Sequence, residues 1–302
     1  RNCGKPGLVI FPAPALFLPK PAGRNSAAQM EADVIRRVLV ILAAVLPLAA
    51  AAQDSRLQSL ETTDAGRAWE AVGRLDMNGT GFCTGALIAP DLVLTAAHCL
   101  FDGNTMAPVD PQSIEFLAGW RNGRASAYRA VRRAVVHPGY VYDREVSARR
   151  VRNDIALLQL QRPIRNTTVS PFSTAGRPRR GDRIGVVSYA HDRAEAPSLQ
   201  DVCAVTARQE GVLVMSCEVD FGSSGAPVFS FESGEPRIVS VVSAKAEVDG
   251  APVSLGSALA EELDLLQAQL TSIPTASKLP PGVGRVRAGE RTSAGGAKFI
   301  KR

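Results

Sequence analysis

Between residues 69 and 160 the chain alternates short apolar runs with turn residues. Runs at 82–88 and 91–96 flank Pro90, one at 114–119 precedes Arg121-Asn122-Gly123, and one at 130–136 ends at His137-Pro138-Gly139. Runs of this length, rich in Val, Ile and Leu and bounded by Gly, Pro and Asn, predict strands. A second series at 183–189, 202–207, 211–217, 226–231 and 237–244 predicts more of them. The segment 201–217 reads as a hairpin turning at Gln209-Glu210-Gly211, which puts Cys203 and Cys217 on adjacent strands, close enough to bridge. The period changes over 257–270, where Ala258, Leu263, Leu265, Leu266 and Leu270 make an apolar helical face. Glu261, Glu262 and Asp264 stand near its start, where the helix dipole favours acids. Many short strands with regular turns and one clear helix predict an all-β, mostly antiparallel barrel or sandwich.

The two ends follow other patterns. From Met30 the chain carries Arg36-Arg37, an apolar run at 38–48 and then Ala49-Ala50-Ala51-Ala52, the layout of a secretory signal peptide cleaved near Ala52. The run is shorter than the ~20 residues a membrane span needs, so no stable membrane anchor is expected after cleavage. Residues 1–29, rich in Pro and Gly, are set aside as an upstream extension. Beyond Pro274 the chain turns to Pro, Gly, Ala and basic residues, and 274–302 is expected to be a disordered basic tail. The expected mature domain is therefore 53–273.

Charge changes little once it is located. The formal net charge of the 302 residues is +6, but residues 53–273 hold 22 bases against 26 acids. The basicity belongs to the ends, and the body gives no reason to expect nucleic acid as a partner. Nine arginines between 121 and 152 read as a solvated face and are assigned no role. Cys83, Cys99, Cys203 and Cys217 fall in the exported part, an even number in an oxidising compartment, which favours two disulfides; Cys3 lies in the prefix. With three histidines and no Cys-x-x-Cys, no metal site is expected, and no cofactor is implied.

Candidate chemistry centres on Gly222-Ser223-Ser224-Gly225. A serine hydroxyl is inert at neutral pH unless a base takes its proton and fixed donors stabilise the oxyanion, and a glycine-flanked bend can bring amide N–H groups to that place. His98 follows an apolar run, sixteen residues after Cys83. A Cys83–Cys99 disulfide would pin its ring to the tolerance a base needs. Asp154 heads the apolar run 155–158, where a carboxylate is costly to bury unless hydrogen-bonded, and an imidazole N–H is a suitable donor.

Taken together, Cys83-Thr84-Gly85-Ala86-Leu87-Ile88, Thr95-Ala96-Ala97-His98-Cys99, His137-Pro138-Gly139-Tyr140, Asn153-Asp154-Ile155-Ala156-Leu157-Leu158 and Gly222-Ser223-Ser224-Gly225-Ala226-Pro227 resemble the trypsin-like, chymotrypsin-fold serine proteases, especially their bacterial secreted members. The resemblance covers about residues 69–258. It implies two perpendicular antiparallel six-stranded Greek-key β-barrels, about 69–170 and 171–256, a cleft between them, and an outer C-terminal helix at 257–270. It also implies a serine endopeptidase, secreted or periplasmic, acting on polypeptides. Ser224 would be the nucleophile, His98 the base and Asp154 its orienting partner, with the N–H groups of Gly222 and Ser224 as oxyanion hole. Two departures stand out. Ser223 replaces the aspartate that pairs with a new N-terminus in digestive members, and no basic residue followed by Ile-Val precedes Trp69, so the mode of activation stays open. Glu218, six residues before Ser224, takes the place of the acid at the base of the trypsin pocket and would suit Lys or Arg. Ser240-Val241-Val242 aligns with the pocket wall, however, and Val242 would narrow the entrance, so the preference stays open too. A catalytically silent binding protein on the same fold is the alternative. Oligomeric state is not legible in the sequence.

Overall fold

The computed structural model describes residues 57–143, 145–176, 178–259 and 262–272. The signal segment, the prefix with Cys3, Glu261 and the basic tail lie outside them. Six strands make the first barrel: β2 (Val72–Met77), β3 (Phe82–Ala89), β4 (Leu92–Thr95), β5 (Ile114–Ala118), β6 (Ala127–Val136) and β7 (Ala156–Leu160). They close antiparallel in the order β2-β3-β4-β7-β6-β5, and closure removes the unpaired edges an open sheet would leave. The second barrel comprises β8 (Arg183–Ala190), β9 (Arg193–Gln209), β10 (Val212–Met215), β11 (Pro227–Ser230), β12 (Arg237–Val248) and β13 (Ala251–Ala258). Its order is β9-β10-β13-β12-β11-β8, with β8 returning to β9. The 17-residue β9 closes this ring because its register against β8 shifts twice, bending the strand, while the short β1 (Gln58–Ser59) adds to it through Gln58 opposite Leu199.

The 201–217 hairpin forms as its sequence predicts. Glu210 and Gly211 both take positive φ, 50° and 82°, the mirror-image turn that matches strand twist. Strand β2, absent from the sequence reading, mixes Gly73, Arg74 and Asp76 with apolar residues; an Arg74–Asp76 ion pair at 3.3 Å accounts for the polar positions.

Side chains alternate into each barrel. Leu75, Leu87, Phe116 and Leu158 are fully buried in the first, and Ile184, Leu213, Met215 and Val228 in the second. Between the barrels Trp69, Phe172 and Phe229 stack edge to face or tilted, with ring centroids 4.8 to 6.0 Å apart. The segment ahead of β2 is held by Arg121. Its guanidinium pairs with Glu70 at 2.6 Å and donates to the Leu60 and Gly66 carbonyls at 2.8 and 2.9 Å.

The C-terminal helix needs a correction. Residues 257 and 258, expected to be helical, end strand β13, and the long helix of the described residues, here α3, is Glu262–Ser272. Two shorter helices are α1 (Thr63–Gly66) and α2 (Ala148–Arg152). Ser257 stays in the strand because its buried hydroxyl donates to the carbonyls of Val151 and Asp154, at 2.6 and 3.1 Å. Leu263, Leu266 and Leu270 are buried as a helical stripe, but Leu265 is 40% exposed. Glu262 in the first turn accepts from Nε2 of His137 at 2.7 Å, tying α3 to the end of β6. Among the described residues no helix is long and apolar enough to cross a membrane.

Candidate active site

His98 lies in a short 3-10 turn, Ala97–Leu100, directly after β4, and Cys99 beside it is bonded to Cys83 of β3. The ring is thus carried by a turn cross-linked to the neighbouring strand. Asp154 sits between α2 and β7 and is 1% exposed. A carboxylate so buried requires strong partners, and it has three. Oδ1 accepts from the His98 backbone N–H at 2.8 Å, Oδ2 accepts from Nδ1 of the same residue at 2.7 Å, and the Ser243 hydroxyl also donates to Oδ2. An ionised carboxylate only accepts, so the hydrogen belongs on Nδ1 and the lone pair on Nε2.

Ser224 sits in a bend held by the other barrel. Thr84 of β3 donates its backbone N–H to the Ser224 carbonyl and its hydroxyl to the Gly222 carbonyl, both at 2.8 Å. At Gly225, φ is +77° and a Cβ would fall 2.1 Å from Thr95 Oγ1 and 2.4 Å from the Thr84 carbonyl, so only glycine lets the two barrels meet here. Ser223 is fully buried; its hydroxyl donates to the Tyr189 carbonyl at 3.2 Å and shares a hydrogen bond with the Ser188 hydroxyl at 3.1 Å. Among the described residues no acceptor is placed for the N–H of Gly222 or Ser224, and no hydrogen bond joins the Ser224 hydroxyl to His98. Catalytic hydrogen bonds are often long without substrate and tighten when it binds.

Ser224 and His98 line one cavity of about 260 Å³, with Val242, Ser243, Ala244 and Lys245 along its wall. The sequence reading set that wall at Ser240-Val241-Val242. Val242 does line it, but the Ser240 hydroxyl points away, donating to the Ser257 carbonyl at 2.8 Å. The wall starts at Val242 and extends to Lys245, because a β-bulge at Ser243 breaks the register between β12 and β13 and turns the hydroxyl toward Asp154. Glu218 lines a different cavity, about 580 Å³, beside the first. Its N–H donates to Gln200 Oε1 at 2.8 Å, and the preceding Cys217 is bonded to Cys203 of β9, which holds it on that side. Ser243, Thr84 and Lys245 were not singled out by sequence reasoning. Thr84 alone left a signal, as part of the Cys83-Thr84-Gly85 motif.

The charges around the Ser224 cavity are paired. Lys245 Nζ lies 2.9 Å from Asp220 Oδ1 and 4.7 Å from the centroid of the Phe221 ring. The hydrogen bond from Lys245, followed by one from the Phe221 N–H, lowers the Asp220 carboxyl below its ordinary value, so it stays ionised at neutral pH. Phe221, three residues before Ser224, is 74% exposed. Cys83, His98 and Cys99 bring potential metal ligands within reach of one another, but both sulfurs are consumed in the disulfide.

The profile of the trypsin-like peptidase domain matches residues 79–237, just over half of the chain and the span holding His98, Asp154 and Ser224. Human cathepsin G (Homo sapiens) is 32% identical over 138 residues, 45% of this chain and 49% of that protein. Serine protease SP24D of Anopheles gambiae is 30% identical over 173 residues, 52% of this chain and 58% of that protein. The chain thus spans about half the length of these curated relatives. A solved structure of a Glu endopeptidase in complex with MPD superposes with a TM-score of 0.59 at 16% identity, covering 72% of this chain and 97% of that one, a likeness of fold. The narrower placement among bacterial secreted members rests on the sequence motifs. On profile and relatives together, the chain belongs to the family of trypsin-like peptidase domains.

Proposed function

We propose that this protein is a serine endopeptidase that cuts polypeptides through an acyl-enzyme, with Ser224 as nucleophile, His98 as base and Asp154 as its orienting partner. The observation that carries the reading is the His98 ring, fixed by two bonds to a buried carboxylate and sharing one cavity with a serine in a glycine-flanked bend. In the first step Ser224 Oγ bonds to the scissile carbonyl carbon and its proton passes to His98 Nε2. The carbonyl π pair moves to oxygen, where the N–H groups of Gly222 and Ser224 receive it. Collapse expels the amine, which takes the proton from His98, and a water repeats the sequence to release the acid. The hydrogen-bonded Ser223 hydroxyl supports a bend organised without the N-terminal ion pair of digestive relatives. Two disulfides and the signal-like segment 30–52 support action outside the cytoplasm, with 53–273 as the mature domain.

The test is labelling of the residue 53–302 protein with a fluorophosphonate, beside Ser224→Ala and His98→Ala. Labelling of the parent alone is expected. A folded, oxidised parent that takes no label would favour a silent binding protein on this fold.

A further inference from the structure

Two cavities adjoin Ser224, and Val219, Asp220 and Lys245 belong to the walls of both. These residues separate the 260 Å³ space holding Ser224 and His98 from the 580 Å³ space, whose other charged lining residues are Asp192, Arg193, Glu218 and Glu247. Of the three, Asp220 and Lys245 carry opposite charges 2.9 Å apart. Resting on the peptidase reading above, we propose that Asp220 and Lys245 form a charge-neutral partition beside the nucleophile, which selects an uncharged side chain on the acyl side of the cleaved bond.

Each member of the pair is fixed by its own neighbours. Asp220 stands four residues before Ser224, and its Oδ1 also accepts from the Phe221 N–H at 2.9 Å. Lys245 sits on β12, two residues past the Ser243 bulge, and its ammonium lies against the Phe221 ring. An entering cationic side chain meets Lys245 as a like charge, and an anionic one meets Asp220. Either meets a pair whose two charges already offset each other. An uncharged side chain leaves the pair intact and contacts Val219, Phe221, Val242 and Ala244 instead. Repelling the wrong charge contributes to selectivity as much as attracting the right group does. Arg150, also on the cavity wall, is engaged elsewhere: it donates to the Glu145 carbonyl at 3.0 Å, lies 3.8 Å from Asp143 and sits over the Tyr142 ring.

The partition predicts opposite shifts from its two halves. Lys245→Met leaves Asp220 without its counterion and opens the way to the acidic second cavity. Asp220→Asn leaves Lys245 as an unopposed cation and keeps the side-chain shape. The experiment is a peptide-library profile of kcat/KM for the parent and both variants, with melting temperature as fold control and fluorophosphonate labelling of the parent. Expected are a parent that favours uncharged residues, a gain of about tenfold for Lys and Arg relative to uncharged residues in Lys245→Met, and a similar relative gain for Asp and Glu in Asp220→Asn. A parent that labels, with variants whose profiles keep its shape at any overall rate, overturns the partition alone, as does a parent that favours charged residues. A parent that neither labels nor cleaves overturns the peptidase reading and the partition with it.

Discussion

Asp154 shows how much a single buried charge can organise. It is nearly inaccessible, and each of its side-chain hydrogen bonds comes from a different group: a backbone amide, an imidazole and a hydroxyl. The first two belong to His98 and fix the ring; the third, from Ser243, fixes the carboxylate itself. Ser243→Ala removes a charge-assisted hydrogen bond, commonly ~1.5–3 kcal/mol, and leaves the buried oxygen with one donor fewer. The expected result is a fall of about ten- to a hundredfold in kcat with little change in KM, since the Ser243 hydroxyl, though on the cavity wall, is committed to Asp154, which bonds His98. Steady-state kinetics on one good peptide checks it; a change confined to KM would contradict this role. Neither Ser243 nor its part was legible in the chain. Ser240 and Ser243 look equivalent as letters, and only the bulge between Val242 and Ala244 decides which hydroxyl reaches the carboxylate. His98, Asp154 and Ser224 were legible because each stands in a short motif whose neighbours carry its constraints: the cross-linked cysteine, the apolar run, the glycines. Glu218 shows the limit of counting residues, since its distance from Ser224 in sequence says nothing of the wall that Val219 and Asp220 put between them.

At the scale of elements, β3 does more than close its barrel. Through Thr84 it holds the bend of Ser224 by two carbonyls, while the Thr84 hydroxyl also accepts from the Tyr189 N–H at 3.1 Å. Thr84→Val keeps the shape but strands the Gly222 carbonyl and the Tyr189 amide. A loss of about 2 kcal/mol in stability is expected, at the middle of the range for buried groups left unpaired. Denaturant titration reads that loss, and kcat should fall beyond what the unfolded fraction explains, because the orientation of the Gly222 peptide is released. Strands of the first barrel were largely legible from runs of Val, Ile and Leu. The start of α3 was not, because Ser257 and Ala258 fit a helical stripe as well as a strand end, and the choice is made by hydrogen bonds to Val151 and Asp154, more than a hundred residues away in sequence.

On the scale of the whole molecule, the barrels are joined by buried groups that tolerate little change. Tyr189 of the second barrel is fully buried and donates its hydroxyl to the Trp120 carbonyl of the first at 2.9 Å. Burial pushes its phenol well above the ordinary 10.0, so the folded protein keeps the proton where the unfolded chain loses it. Above pH ~10 the unfolded state therefore binds fewer protons, and stability falls with rising pH by about 1.4 kcal/mol per unit for this group. Thermal melts from pH 9 to 11 should show that decline, and Tyr189→Phe should lessen it, the remainder coming from Tyr140, whose phenol is also raised by burial; an unchanged slope would show that Tyr189 does not contribute. That two barrels were expected at all rested on family likeness, since strand count alone fits a sandwich equally well. The hold of Thr84 on the Ser224 bend has a consequence for the cell that makes this protein. His98 is synthesised more than a hundred residues before Ser224, and the hydrogen bonds that hold the bend need strands from both halves. Under the proposed function, a chain still emerging from the ribosome carries the parts of a protease but no working blade, and its own folding is the safety catch.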